Sequence, residues 1–163
     1  MKTQLRLGVG VLTVLPAEFG TLALTVSDYY YPYAGISYFN FENDGLGAHT
    51  IELAFSYDGT EKFPIHLAVS NNILNDVGGT KSFYSEIGYS VSVNDVSLFF
   101  FTGGGLGVSP WHMINEDGFR IINAGVTASK SVKITDDYSL PIGLTWLINP
   151  ELKKSYIAVK VSF

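Results

Sequence analysis

The sequence predicts an all-β fold, an antiparallel up-and-down β-barrel of about ten strands in a single domain over 1–163. Three observations predict it. Charged residues make up only 15% of the chain, and stretches without Asp, Glu, Lys or Arg run over 7–17, 19–27, 29–41, 63–75, 96–115, 121–129 and 138–150. Within these stretches apolar and small residues alternate with period 2, the signature of a strand with two unlike faces. Between them stand residues that favour turns, such as Asn43-Asp44-Gly45, Asp58-Gly59, Asn94-Asp95, Asp136-Asp137 and Asn149-Pro150.

The strands are expected over 4–14, 19–27, 35–41, 47–57, 63–71, 82–93, 95–103, 119–131, 138–147 and 154–163. In the first, Leu5, Leu7, Val9 and Val11 alternate with Arg6, Gly8 and Gly10. The same segment has a second reading: Lys2 and Arg6 precede an apolar run and then Pro16-Ala17, as in a secretory signal. The alternation favours the strand. In 47–57, His49, Ile51, Leu53, Phe55 and Tyr57 face one way and Ala48, Thr50, Glu52, Ala54 and Ser56 the other. In 82–93, Phe83, Ile87, Tyr89, Val91 and Val93 oppose Tyr84, Glu86, Gly88, Ser90 and Ser92. Leu140, Ile142, Leu144 and Trp146 carry the pattern through the ninth strand, and Ile157, Val159, Val161 and Phe163 through the tenth.

Composition excludes several classes. With 47% apolar residues and few charges the chain is not intrinsically disordered. It has no Cys, which excludes a disulfide scaffold, a thiolate zinc site and a thiol nucleophile. A net charge of −5 argues against a nucleic-acid partner. The charge-free stretches are mostly too short for a membrane helix, and 96–115 is interrupted by Gly103, Gly104, Gly105, Gly107 and Pro110. Lengths near ten residues suit tilted membrane strands.

Alternation alone fits a soluble barrel with its apolar face inward or a membrane barrel with that face toward lipid. The second face decides. It is mostly Ser, Gly, Ala and Thr, and the whole chain has two Arg and one Gln. That is a poor surface for water and a good lining for a narrow lumen. The charges that fall mid-strand, Arg6, Glu52, Glu86 and Lys160, all lie on this small-residue phase. Tyr29, Tyr30, Tyr31, Tyr57, Trp111 and Trp146 stand near expected strand ends, as in the aromatic girdles of membrane barrels. Short connections near 58–62, 94–95 and 132–137 alternate with longer ones near 72–81, 104–118 and 148–153. This suits periplasmic turns and extracellular loops, and an even strand count would put both termini on the periplasmic side.

Asp28-Tyr29-Tyr30-Tyr31-Pro32, then Tyr38-Phe39-Asn40-Phe41, His49-Thr50-Ile51-Glu52-Leu53 and Phe63-Pro64-Ile65 follow in order. Gly125-Val126-Thr127-Ala128-Ser129-Lys130, Ile134-Thr135-Asp136, Leu140-Pro141 and Asn149-Pro150 continue the series. In this order, over roughly 19–163, the chain resembles the uncharacterised outer-membrane barrel proteins of Bacteroidota, the TorF-like porins. The resemblance implies a bacterial outer-membrane location, a lipid-bilayer environment and small permeating solutes. The ending with Val159, Val161 and terminal Phe163 resembles the signal read by the barrel-insertion machinery.

Candidate chemistry is thin. Gly103-Gly104-Gly105-Leu106-Gly107 lacks the Gly-Lys-Ser/Thr of a phosphate loop and reads as a mobile extracellular loop. His49, His66 and His112 show no metal-ligand spacing. His49 lies on the apolar phase at a strand start, where a membrane interface is expected. His66 points to the lumen with Ala68 and Ser70, and is the one His that could serve a barrel lipid hydrolase if a nucleophile lay within reach. Arg6, Glu52, His66, Glu86 and Lys160 are the expected lumen residues. They form either a charged constriction that selects solutes or a paired network that braces a small barrel. If the first and last strands close the barrel, Arg6 and Lys160 become neighbours. No cofactor and no enzymatic activity are expected. A soluble barrel holding an apolar ligand, like a lipocalin or fatty-acid-binding protein, is the rival class.

Overall fold

The computed structural model describes residues 5–14, 17–30, 37–43 and 45–162. Nine strands form one antiparallel sheet: β1 (Leu5–Val14), β2 (Thr21–Tyr30), β3 (His49–Thr60), β4 (Phe63–Leu74), β5 (Phe83–Val93), β6 (Val96–Leu106), β7 (Phe119–Lys133), β8 (Ser139–Asn149) and β9 (Lys154–Val161). The strand order in the sheet is the order in the sequence, an up-and-down arrangement curved into a half-barrel. No α-helix occurs among the described residues.

Among the described residues nine strands form, and residues 37–41 of the strand expected over 35–41 are not part of one. They turn back on themselves. Asn40 N–H bonds the Ser37 carbonyl (2.9 Å), and the Ala48 N–H closes onto the Asn40 carbonyl (2.9 Å). The Asn40 side chain accepts from Glu42 N–H at 2.8 Å and donates to the Leu46 carbonyl at 3.2 Å. An Asn that bonds nearby backbone competes with a strand ladder. Residues 35 and 36 lie outside the described residues.

The connection between β2 and β3 spans 31–48, of which 37–43 and 45–48 are described. Long connections (31–48, 75–82, 107–118) then share one end of the sheet with 150–153, and the connections 15–20, 61–62, 94–95 and 134–138 share the other. Both β1 and β9 run from the loop end to the turn end, so the start of β1 and the finish of β9 lie at opposite ends. Among the described residues β1 and β9 are the two edges of the sheet.

Register sorts the side chains, because directly paired residues project to the same side. One row runs Leu22, Tyr57, Leu67, Ile87, Thr102, Ala124 and Ile148 across β2 to β8. A second runs Tyr89, Phe100, Val126, Trp146 and Ile157. These rows form the apolar face, and Phe55, Leu67, Ile87, Phe100, Trp146, Ile157 and Val159 on it are exposed. The opposite face carries Ser56, Ala68, Glu86, Gly103 and Asn123 in one row and Ser92, Ser97, Ser129, Gly143 and Lys160 in another.

Burial is therefore inverted relative to a water-soluble core. The fully buried large side chains are Ile114, His49, Asn72, Thr50, Ser27 and Ser109. Five of these six are polar: Ser27, Thr50 and Asn72 lie on the small-residue face, Ser109 and Ile114 in the connection 107–118, and His49, on the apolar phase at the start of β3, is covered by the rings of Tyr38 and Phe41. Turn chemistry supports the register where it is tightest: Asn94, at φ 55°, turns the two-residue hairpin between Val93 and Val96.

Candidate functional site: the concave face and its loop cover

Glu52, His66 and Glu86 project from β3, β4 and β5 onto the small-residue face, each with partners. Glu52 accepts from the Tyr29 hydroxyl and from the Ser70 hydroxyl, both at 3.0 Å. Tyr84 donates to Glu86 at 2.5 Å and accepts from the Asn123 amide at 2.7 Å. His66 Nδ1 sits 2.6 Å from Asp58, and its Nε2 lies 3.9 Å from Glu86. Phe99 meets the His66 ring edge-on at 5.7 Å between centroids. Among the described residues the polar partners of His66 are the two carboxylates of Asp58 and Glu86.

The remaining expected positions divide. Arg6 stands opposite Tyr29 in the β1–β2 register. Lys160 stands opposite Gly143 on β9, and every residue of that strand is exposed. With β1 and β9 at opposite edges, Arg6 and Lys160 are not on neighbouring strands among the described residues. Trp146 is 48% exposed on the apolar face, and the Tyr57 hydroxyl donates to the Phe19 carbonyl at 3.0 Å. Val159 (68% exposed) and Val161 project from β9, while Tyr31 and Phe163 lie outside the described residues.

Three expectations are corrected. Tyr29 is not an interface aromatic: register places it on the small-residue face, bonded to Glu52, with the Trp111 ring edge-on at 5.1 Å. Trp111 accordingly turns inward with its loop. His49 is not interfacial but fully buried. Its Nδ1 meets Asp28 at 2.9 Å, its Nε2 meets the Tyr38 carbonyl at 2.5 Å, and its ring is stacked between Tyr30 (5.0 Å) and Phe41 (4.2 Å). Tyr30 is thereby drawn into loop packing. Finally, β6 runs past Gly103, the end of the expected strand, so that Gly104 and Gly105 belong to the strand rather than to a loop. Tyr84 covers Gly103, Phe119 covers Gly104, and Ile114 with His112 covers Gly105, so no Cβ fits.

The long loops cover the loop end of the concave face through a continuous polar network. Asp76 is its centre: it accepts from Asn72 Nδ2 (2.7 Å), Thr80 Oγ1 (2.9 Å), Ser82 N–H (2.7 Å) and Ser82 Oγ (2.8 Å). Burial pushes the Asp76 carboxyl up, but these four donors outweigh it and hold it below the ordinary carboxylate range. Asn75, at φ 50°, accepts from Gly45 N–H and donates to the carbonyls of Gly47 and His49, which ties 45–49 to the β4–β5 connection. Ser82 then meets Ser109 hydroxyl to hydroxyl at 2.6 Å, joining 107–118 to the same network.

The residues 107–118 fold inward. Ile114 is fully buried, Trp111 packs on Tyr29, and His112 lies 5.8 Å from the Tyr84 ring. Burial pushes the His112 imidazole below its ordinary range, against the opposite pull of Asp76 and Glu52. The turn end stays open. A cavity of about 630 Å³ there is lined by Ser97, Thr127, Ser129, Thr145 and Lys160, and another of about 900 Å³ by Asp58, His66, Ser90 and Phe99. Charges gather at this rim: Lys130 bonds Asp95 at 2.6 Å and holds that carboxyl below its usual range.

No protein-family model matches the chain, and no curated protein or solved structure matches it. Among the described residues no group of His, Asp and Glu is arranged to hold a metal ion. Parity places Tyr84 beside Glu86, but sequence reasoning missed Asn123, Asp76 and Ser109, whose partners Tyr84, Ser82 and Ser82 stand 39, 6 and 27 positions away, where period 2 carries no signal.

Proposed function

We propose that this sheet is the wall of a small β-barrel spanning a bacterial outer membrane. In this reading it is a porin-like channel or structural barrel with a narrow polar lumen, related to the TorF-like porins. The inverted burial carries the reading. Exposed Phe55, Leu67, Ile87, Phe100, Trp146, Ile157 and Val159 stand on one face, while the buried large side chains are mainly polar. An apolar face toward lipid and a hydrogen-bonded interior are what a bilayer solvent selects. Strands of 8 to 15 residues and charge pairs at the turn-end rim support the same reading. A direct seam between β1 and β9 would be a parallel ladder. Because bacterial barrels use even strand counts, antiparallel closure takes one strand more than the nine described. The lipid bilayer is the main partner, with the barrel-insertion machinery acting on the way there.

Brominated lipids test this. Two single-tryptophan proteins, Trp111→Phe and Trp146→Phe, are reconstituted in vesicles with brominated acyl chains. The reading expects strong quenching of Trp146 and weak quenching of Trp111. Absence of quenching at Trp146 contradicts it.

A further inference from the structure

We propose that residues 107–118 form a hinged plug that closes the loop end of the concave face and lifts as a unit. The proposal rests on the barrel reading for its consequence, an occluded lumen, but not for its geometry. The segment is a closed Ω-shaped loop. Its ends meet at Gly107 and Gly118, joined by a 3.0 Å bond from Gly107 N–H to the Gly118 carbonyl. Both glycines have positive φ, 76° and 95°, and nothing lies within 4 Å of where a Cβ would stand. Such positions turn without a clash.

Within the loop, Ser109 and Ile114 exchange backbone bonds of 2.9 and 2.8 Å, and Met113 N–H bonds the Pro110 carbonyl. The loop therefore holds its own shape between the two hinges. Its inner surface is Ser109, Trp111, His112 and Ile114, and its outer surface exposes Val108, Met113, Glu116 and Asp117. The inward attachment is a relay of hydroxyls. Ser109 donates to Ser82, which donates to Asp76, and Ser109 accepts from the His112 N–H.

Closure also leaves polar atoms unmatched. His112 Nδ1, beneath the loop, and Asn123 Oδ1, on the wall it faces, are buried without a protein hydrogen-bond partner. Buried polar atoms left unpaired favour the state that exposes them. Two clear hinges, a self-contained loop and an imperfectly satisfied floor together describe a plug rather than a fixed wall.

The chain has no Cys, so Ser82→Cys with Ser109→Cys places a unique pair where two oxygens stand 2.6 Å apart. The pair is made in the Trp146→Phe background, with far-UV circular dichroism to confirm an unchanged fold. Acrylamide quenching of Trp111 and single-channel conductance are read with the bridge oxidised and reduced, and in Ser109→Ala as a disulfide-free control. Local opening is expected to raise quenching at least about twofold in the reduced pair and in Ser109→Ala, with conductance rising in step. Equal quenching in all three forms overturns the plug, as does failure of the bridge to form. Redox-dependent quenching without any conductance keeps the plug and counts against the channel. Conductance that ignores the bridge keeps the channel and removes the plug.

Discussion

His49 stands opposite Tyr30 in the β2–β3 ladder, and its Nδ1 reaches diagonally to both Asp28 oxygens at 2.9 Å. One buried ring thus joins a strand carboxylate to the backbone of Tyr38 in the loop that follows β2. Replacing His49 with Ala strands Asp28 and removes the stack between Tyr30 and Phe41. Losing the hydrogen bonds of this buried ring costs about 2 kcal/mol. The expected result is a lower urea midpoint, with protease cleavage within 37–48 preceding global unfolding.

Asp76 gives an acid limb. Its carboxyl is held below the ordinary carboxylate value of 3.8, so its contribution to stability is complete above that value and is lost as pH falls through the lower, folded value. The loop-end network should survive mild acid and fail only in strong acid. Asp76→Ala should flatten this limb and cost about 2 kcal/mol at neutral pH, read from urea melts at stepped pH.

His112 gives a second limb of the same sign, closer to neutrality. Burial lowers its folded value below the ordinary 6.5. Its contribution to loop closure is therefore full above 6.5 and is lost as pH falls through the folded value. Trp111 quenching should rise on acidification in the wild type, and this pH dependence should be lost in His112→Gln.

The two faces differ in what they accept. Leu53 lies in register between Val26 and Asn71 on the apolar face, and Ala54 lies between Thr25 and Ser70 on the other. Lys on a lipid face near the midplane costs about 2–4 kcal/mol. Leu53→Lys should block insertion into vesicles and Ala54→Lys should be milder, by flotation assay. Equal effects would contradict the face assignment.

Much of the sheet was legible because period 2 is a local signal. Parity alone places Glu52, His66 and Glu86 on one side, and short turn sequences mark the tight hairpins. The errors share a cause. Tyr38 and Phe41 read as strand residues, yet their rings pack around His49, and Gly104 and Gly105 read as a loop, yet large side chains from other elements lie over them. Tyr29 read as a girdle aromatic from its place near a strand end. Its phase in β2, and with it the partner Glu52, emerged only from register. Contacts between loops distant in sequence leave no periodic trace.

Refolding from urea tests the central claim most directly. The chain is diluted into detergent micelles or into buffer alone, followed by far-UV circular dichroism, and run on a gel with and without boiling. The account predicts strong β signal and a faster-migrating unboiled band only with detergent. A β fold that forms in buffer without detergent, its exposed apolar face now buried, would contradict it.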